Sequence, residues 1–130
     1  MLPRIFEVKQ FGELGKGILT SSSIPEDIPF EVKRIVWIYG VEDNNERGNH
    51  ANKKTDQVFY AVNGTVTVEL IDENNNSSVY ELNHPKQGLF VPPNYFRRLV
   101  FSKDAILVAI SSLEYIEEDY VRDLNDFLVK

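Results

Sequence analysis

Short runs of β-branched and aromatic residues, set at nearly even spacing between turn-forming segments, constrain this chain more than any other feature. Arg34–Tyr39, Val58–Val62, Thr65–Ile71, Ser78–Leu82, Gly88–Val91 and Ile106–Ser111 are such runs, and residues of these types favour a pleated, half-buried strand. Between them lie Glu42–Glu46, Asn63-Gly64, Asp72–Ser77, His84–Gln87 and Pro92–Asn94, rich in the Asn, Asp, Gly and Pro that turns use. Asn63-Gly64 is a two-residue hairpin signal, because both residues tolerate positive φ. Asp72–Ser77, with three consecutive asparagines and nothing apolar to bury, reads as a longer polar hairpin loop. Strands this short and this regular predict an all-β sandwich or barrel. No internal repeat, linker or low-complexity tract divides the chain. Residues 1–130 are therefore expected to form one domain, long enough to bury a core.

The tail breaks the pattern. From about Glu117 the apolar residues Tyr120, Val121, Leu124, Phe127 and Leu128 recur at helical spacing. Glu117, Glu118 and Asp119 sit where a helix start favours negative charge. One amphipathic helix is predicted, packed on the outside of the barrel and without a chemical role.

Composition removes several classes of function. With no cysteine, disulfides and thiolate metal sites are excluded, which suits the cytoplasm. No apolar run is long enough to span a bilayer, and no charged-then-apolar leader opens the chain. A net charge of -6 argues against broad binding of nucleic acid or an anionic membrane. It leaves room for one anionic small molecule held by a local basic cluster.

The chemistry concentrates in Arg47-Gly48-Asn49-His50-Ala51-Asn52-Lys53-Lys54, followed by Gln57 and Gly64. In an extended strand residues two apart share a face, so His50 and Asn52 are expected to point the same way. If Gln57 points inward, Phe59 and Ala61 do too, with Val58, Tyr60 and Val62 outward. In the preceding run Ile35, Trp37 and Tyr39 share one face. Trp37, Tyr39 and Phe59 would wall a barrel interior that has His50, Asn52 and Gln57 as polar points, the composition of a small-molecule pocket.

Gly48, His50, Asn52, Gln57 and Gly64 resemble the first motif of the cupin superfamily, and Gly88, Pro93 and Arg97 loosely resemble the second. A narrower resemblance covers nearly the whole chain. Ile28-Pro29-Phe30, Lys33-Arg34, Arg47-Gly48-x-His50-Ala51-x-Lys53, Gly88-Leu89-Phe90-Val91 and Asp119-Tyr120-Val121-Arg122 with Phe127 are similar to the WxcM-like cupins, the dTDP-4-keto-6-deoxyhexose 3,4-ketoisomerases. The resemblance implies an all-β cupin jelly-roll barrel (a double-stranded β-helix) with a short C-terminal α-helix. It also implies a metal-free homodimer that needs no cofactor. Such an enzyme moves the carbonyl of a nucleotide-linked keto sugar from carbon 4 to carbon 3 through an enediol, in the making of unusual deoxysugars for surface polysaccharides.

The family's usual equipment is His-x-His with a tyrosine from a neighbouring strand. Here His50 is present, Asn52 stands at the second histidine, and Trp37 falls at or near the tyrosine. Imidazole suits proton transfer near neutral pH, whereas an amide cannot relay a proton and an indole only donates. His50 is therefore the expected proton carrier, with Tyr39 the substitute hydroxyl. Asn52, Trp37, Gln57 and Phe59 are expected to contact the substrate. Metal-binding cupins use three histidines and a glutamate; with Asn52, Gln57 and Arg97 at three of those places, no metal is expected.

A diphosphate needs cationic donors, and arginine suits them best. Arg47 is the first candidate and Arg97 the second. Lys33-Arg34, Lys53-Lys54 and Arg98 read more simply as solvated surface charge, and His84 as an exposed loop histidine. Two functions follow: a sugar-nucleotide 3,4-ketoisomerase with His50 carrying the proton, or a catalytically inactive relative that binds a nucleotide sugar or a partner protein.

Overall fold

The computed structural model describes residues 1–129. Two five-stranded antiparallel sheets face one another across an apolar core. The first sheet has strand order β1-β9-β6-β11-β4, built from β1 (Arg4–Glu7), β4 (Arg34–Ile38), β6 (Gln57–Asn63), β9 (Gln87–Val91) and β11 (Ile106–Ser111). The second has order β12-β5-β10-β7-β8, from β5 (Glu46–Asn52), β7 (Val66–Ile71), β8 (Ser77–Leu82), β10 (Phe96–Phe101) and β12 (Tyr120–Val121). A separate ribbon pairs β2 (Lys9–Glu13) with β3 (Gly17–Ser21), and a short helix, α1, spans Leu124–Leu128. This is the cupin-like jelly roll that the resemblance implies, with its short C-terminal helix.

The core explains the alternation within the strands. Phe59 and Ala61 of β6, Leu89 and Val91 of β9 and Leu107 of β11 meet Val68 and Leu70 of β7 and Leu99 and Phe101 of β10. The outward residues Val58 and Tyr60 are buried as well, because Val8, Ile28 and Phe30 of the N-terminal segment cover them. Phe127 of α1 docks on Phe96, Ile71 and Ala51 at one end of the second sheet.

Asp72–Ser77 is the expected polar loop: β7 pairs β8, and the Asp72 carboxylate accepts from the backbone N–H of Asn74 and Asn76. Asn63-Gly64 is not a hairpin. It carries the chain from β6 in one sheet to β7 in the other. A side chain on Gly64 would meet Ala105 Cα at 2.8 Å, and φ there is +67°, so the turn residues serve close packing at a corner. The strands they join never pair.

The expected C-terminal helix from Glu117 is also corrected. Glu117–Asp119 forms a single 3-10 turn, Tyr120–Val121 pairs with β5, and only Leu124–Leu128 is α-helical, capped by Asp123. The apolar period was real, but strand pairing at the open edge of β5 satisfies the backbone of Tyr120 and Val121 in place of a first helical turn.

Candidate active site

The site begins with a β-bulge. Across β5 and β10, Arg97 pairs with His50 while Arg98 pairs with Gly48, leaving Asn49 as an extra residue. Asn49 has φ 54° and Gly48 has φ 95°, the left-handed region that glycine and asparagine adopt most easily. At Gly48 a Cβ would also meet the Arg97 carbonyl oxygen at 3.1 Å. Residues three apart on a regular strand face opposite ways. The bulge re-aims the strand, so that Arg47 and His50 both line one cavity of about 310 Å³.

The His50 Nδ1 lies 3.2 Å from the Gly48 carbonyl oxygen. A carbonyl only accepts, so Nδ1 carries the hydrogen and Nε2 holds the lone pair, with the Asn52 amide beside the ring. Burial, with the nearby Arg97 charge second, pushes the His50 pKa down to about 4, against the Gly48 hydrogen bond. At neutral pH the ring is uncharged. It is an acceptor for a proton, held in one tautomer.

Four arginines line this cavity, Arg34, Arg47, Arg97 and Arg122, with no Asp or Glu among its lining residues. Arg97 is 1% exposed. It donates to the Gln57 side-chain oxygen and to the Tyr95 carbonyl, and no carboxylate forms an ion pair with it among the described residues. The buried Nε atoms of Arg34 and Arg97 have no hydrogen-bond partner. Burial pushes the Arg97 pKa down to about 10, so the guanidinium stays charged at pH 7. Arg122 is exposed and paired with Glu117 at 2.8 Å, but an unpaired buried cation such as Arg97 is costly, and a cavity arranged this way suits an anionic ligand.

The C-terminal segment closes the cavity. Asp119 is buried and accepts from the Asn52 amide at 2.9 Å, the Lys54 backbone N–H at 2.6 Å and the Thr55 hydroxyl. Burial alone would raise its pKa, but hydrogen bonds from Thr55, Asn52, Lys54 and Lys53 together hold it below the usual carboxylate range. This anchor sets the next residue. The Tyr120 ring packs on His50 with centroids 4.8 Å apart, and Arg34 Nη2 donates to the Tyr120 hydroxyl at 3.1 Å. Tyr115 and Tyr120 are the hydroxyl-bearing residues among those lining the cavity.

The family described as FdtA: WxcM-like, C-terminal, matches this chain over residues 1–130. The chain belongs to the WxcM-like family. It is 33% identical over 113 residues to a TDP-4-oxo-6-deoxy-α-D-glucose 3,4-oxoisomerase of Aneurinibacillus thermoaerophilus, covering 86% of this chain and 81% of that one. The sugar 3,4-ketoisomerase QdtA of Thermoanaerobacterium thermosaccharolyticum, solved in complex with TDP, superposes with a TM-score of 0.89 at 30% identity, over 97% of this chain and 91% of that chain. A 3,4-ketoisomerase of Helicobacter canadensis gives 0.89 at 33% identity, over 97% and 94%.

In this WxcM-like chain the residues expected in the pocket divide. His50, Arg47, Gln57, Phe59 and Arg97 line the cavity. Asn52 is buried beside His50; its amide N–H donates to Asp119, and its amide oxygen has no partner. Trp37 and Tyr39, expected inside, lie outside: they are 62% and 68% exposed. The strand presents Arg34, Val36 and Ile38 to the cavity instead. The reason is register. Val36 pairs with Ala109 and Ile38 with Leu107, both cavity-lining, whereas Trp37 pairs with Val108 on the outer face. Aromatic size was a poor guide to facing. Arg34, Tyr115, Tyr120 and Arg122 were not anticipated as lining; the signals were Lys33-Arg34, read as surface charge, and the Asp119-Tyr120-Val121-Arg122 block, which its helical period disguised.

The WxcM-like cavity does not fit a metal ion. Among the described residues no group of three His, Asp or Glu side chains comes together. The polar side chains that bear on His50 are the charged guanidinium of Arg97 and the amide of Asn52, a cation and a weak neutral oxygen donor, neither of which is a useful transition-metal ligand. Among the described residues no helix is long and apolar enough to cross a membrane.

Proposed function

We propose that this chain is a TDP-sugar 3,4-ketoisomerase acting on a TDP-4-keto-6-deoxyhexose in deoxysugar biosynthesis, without a metal, in the cytoplasm. The carrying observation is the neutral His50 ring, its Nδ1–H tied to Gly48 and the lone pair left on Nε2, inside a cavity lined by four arginines and no acid. His50 takes the proton from sugar carbon 3, the carbon-4 oxygen gains one to form the enediol, and His50 returns its proton to carbon 4 as the carbon-3 hydroxyl gives up its own and becomes the new carbonyl. Arginines at the cavity hold the diphosphate, which bidentate guanidinium contacts suit.

Turnover in deuterated water tests this. With TDP-4-oxo-6-deoxyglucose, NMR should show the 3-keto isomer forming, with deuterium at its carbon 4 and at carbon 3 of recovered substrate wherever the proton on His50 exchanges, and His50→Ala should abolish both. One observation favours a second reading, in which the cavity binds the nucleotide sugar without converting it: the amide of Asn52, at the family's second histidine, is committed to Asp119. Retained TDP binding with neither 3-keto product nor deuterium incorporation would establish that reading and end the first.

The working form is a homodimer in this proposal. Every residue of the β2–β3 ribbon except Ser21 is exposed, including Phe11, Ile18 and Leu19. Ile35 and Trp37 form an exposed apolar strip on the outer face of β4. A second copy of the chain offers each ribbon such a strip, which removes apolar surface from water and covers sheet edges.

A further inference from the structure

We infer that Tyr120 supplies the oxygen-side proton in this isomerisation, as the partner of His50. The inference rests on the ketoisomerase reading and deepens it.

Enolisation needs two proton transfers at once, one from carbon and one to oxygen. A single imidazole that has taken the carbon-3 proton cannot protonate the carbonyl in the same step. β4, where the sequence led us to expect a tyrosine-like group, presents Val36 and Ile38 to the cavity and no hydroxyl. Asn52 cannot donate an acidic proton. Tyr120 remains: its ring lies against His50, 4.8 Å between centroids, and its hydroxyl is oriented by Arg34 at 3.1 Å. Because the Arg34 N–H donates, the Tyr120 hydrogen is left free to point elsewhere. Tyr115 is less suited, since its hydroxyl bonds to Glu117.

The step balances. The carbon-3 C–H bond breaks toward His50 Nε2, its electron pair becomes the carbon–carbon double bond, and the carbonyl π pair takes the Tyr120 proton. In the second half the carbon-3 hydroxyl returns a proton to the Tyr120 oxygen as the new carbonyl forms, and protonated His50 delivers its proton to carbon 4. No oxidant or reductant enters. Asn52 and Asp119 act as positioning residues, because they anchor the segment that places Tyr120.

The test is Tyr120→Phe, which keeps the ring on His50 and removes only the oxygen. We expect kcat to fall roughly a hundredfold to ten-thousandfold, with KM within about threefold, the pattern of a group used only in the transition state. A wild-type protein that incorporates deuterium, with Tyr120→Phe equally active, would overturn this inference and leave the isomerase reading intact. A wild-type protein that forms no 3-keto isomer ends the parent reading instead. A second measurement needs no variant. In a structure of the unaltered protein with TDP-4-oxo-6-deoxyglucose, the Tyr120 oxygen should lie about 2.6–3.2 Å from the sugar's oxygen 3 or 4, and an oxygen turned away from both overturns the inference.

Discussion

Asn52 donates its side-chain amide to the Asp119 carboxylate at 2.9 Å, and both residues are buried. The bond joins the last residue of β5 to the turn before β12, where Tyr120 pairs with Asn52 itself. Asparagine at this position is therefore part of the architecture that closes the cavity.

Asn52→Ala should destabilise the fold by about 1–3 kcal/mol, because a buried carboxylate loses one of its donors. The pH dependence of Asp119 gives a second check. Its folded pKa is held below the ordinary value, so its contribution is present above the unfolded pKa and is lost as pH falls through the folded one. Asp119→Asn should be less stable than wild type at pH 7, and the gap should narrow below about pH 3.9. Urea denaturation at both pH values measures it.

His50 sets a second pH window. Its pKa falls from 6.5 to about 4 on folding, so the unfolded chain binds a proton that the folded chain refuses. Stability linked to His50 is complete above 6.5 and declines as pH falls toward 4, by up to about 3 kcal/mol. A His50→Gln variant should lack that slope. NMR titration of the ring should give the low value directly, and kcat/KM should stay flat from pH 8 to about 5.

Arg97 is buried and makes no ion pair among the described residues, with Asp119 acting on it only at longer range. Arg97→Met should leave stability unchanged or raised, because desolvating a lone cation is costly, while TDP binding weakens at least roughly tenfold. Loss of the positive charge should also raise the His50 pKa, though burial, the larger cause, keeps it below 6.5. Calorimetry and NMR on one variant read all three.

Trp37 and Tyr39 provide the counter-test, since both stand outside the cavity. Tyr39→Phe should leave kcat unchanged. Trp37→Glu should shift the protein from dimer to monomer in light scattering, by placing a charge on the apolar strip that a second copy would cover. A monomeric wild type would remove the basis for that expectation.

The linear order of residues determined the all-β fold, most strand positions, the polar loop at Asp72 and the prominence of Arg47, Gly48 and His50. These depend on local propensity, turn chemistry and side-chain type, which are written one residue at a time. Only the tertiary structure decided which face of β4 looks inward, that Asn63-Gly64 turns between sheets, and that Tyr120 comes to lie on His50. Each of those depends on register between strands distant in sequence, and a one-residue slip exchanges every side chain between faces. The bulge at Asn49 makes such a slip within β5, which is why Arg47 and His50 share a cavity that strict alternation would have denied them.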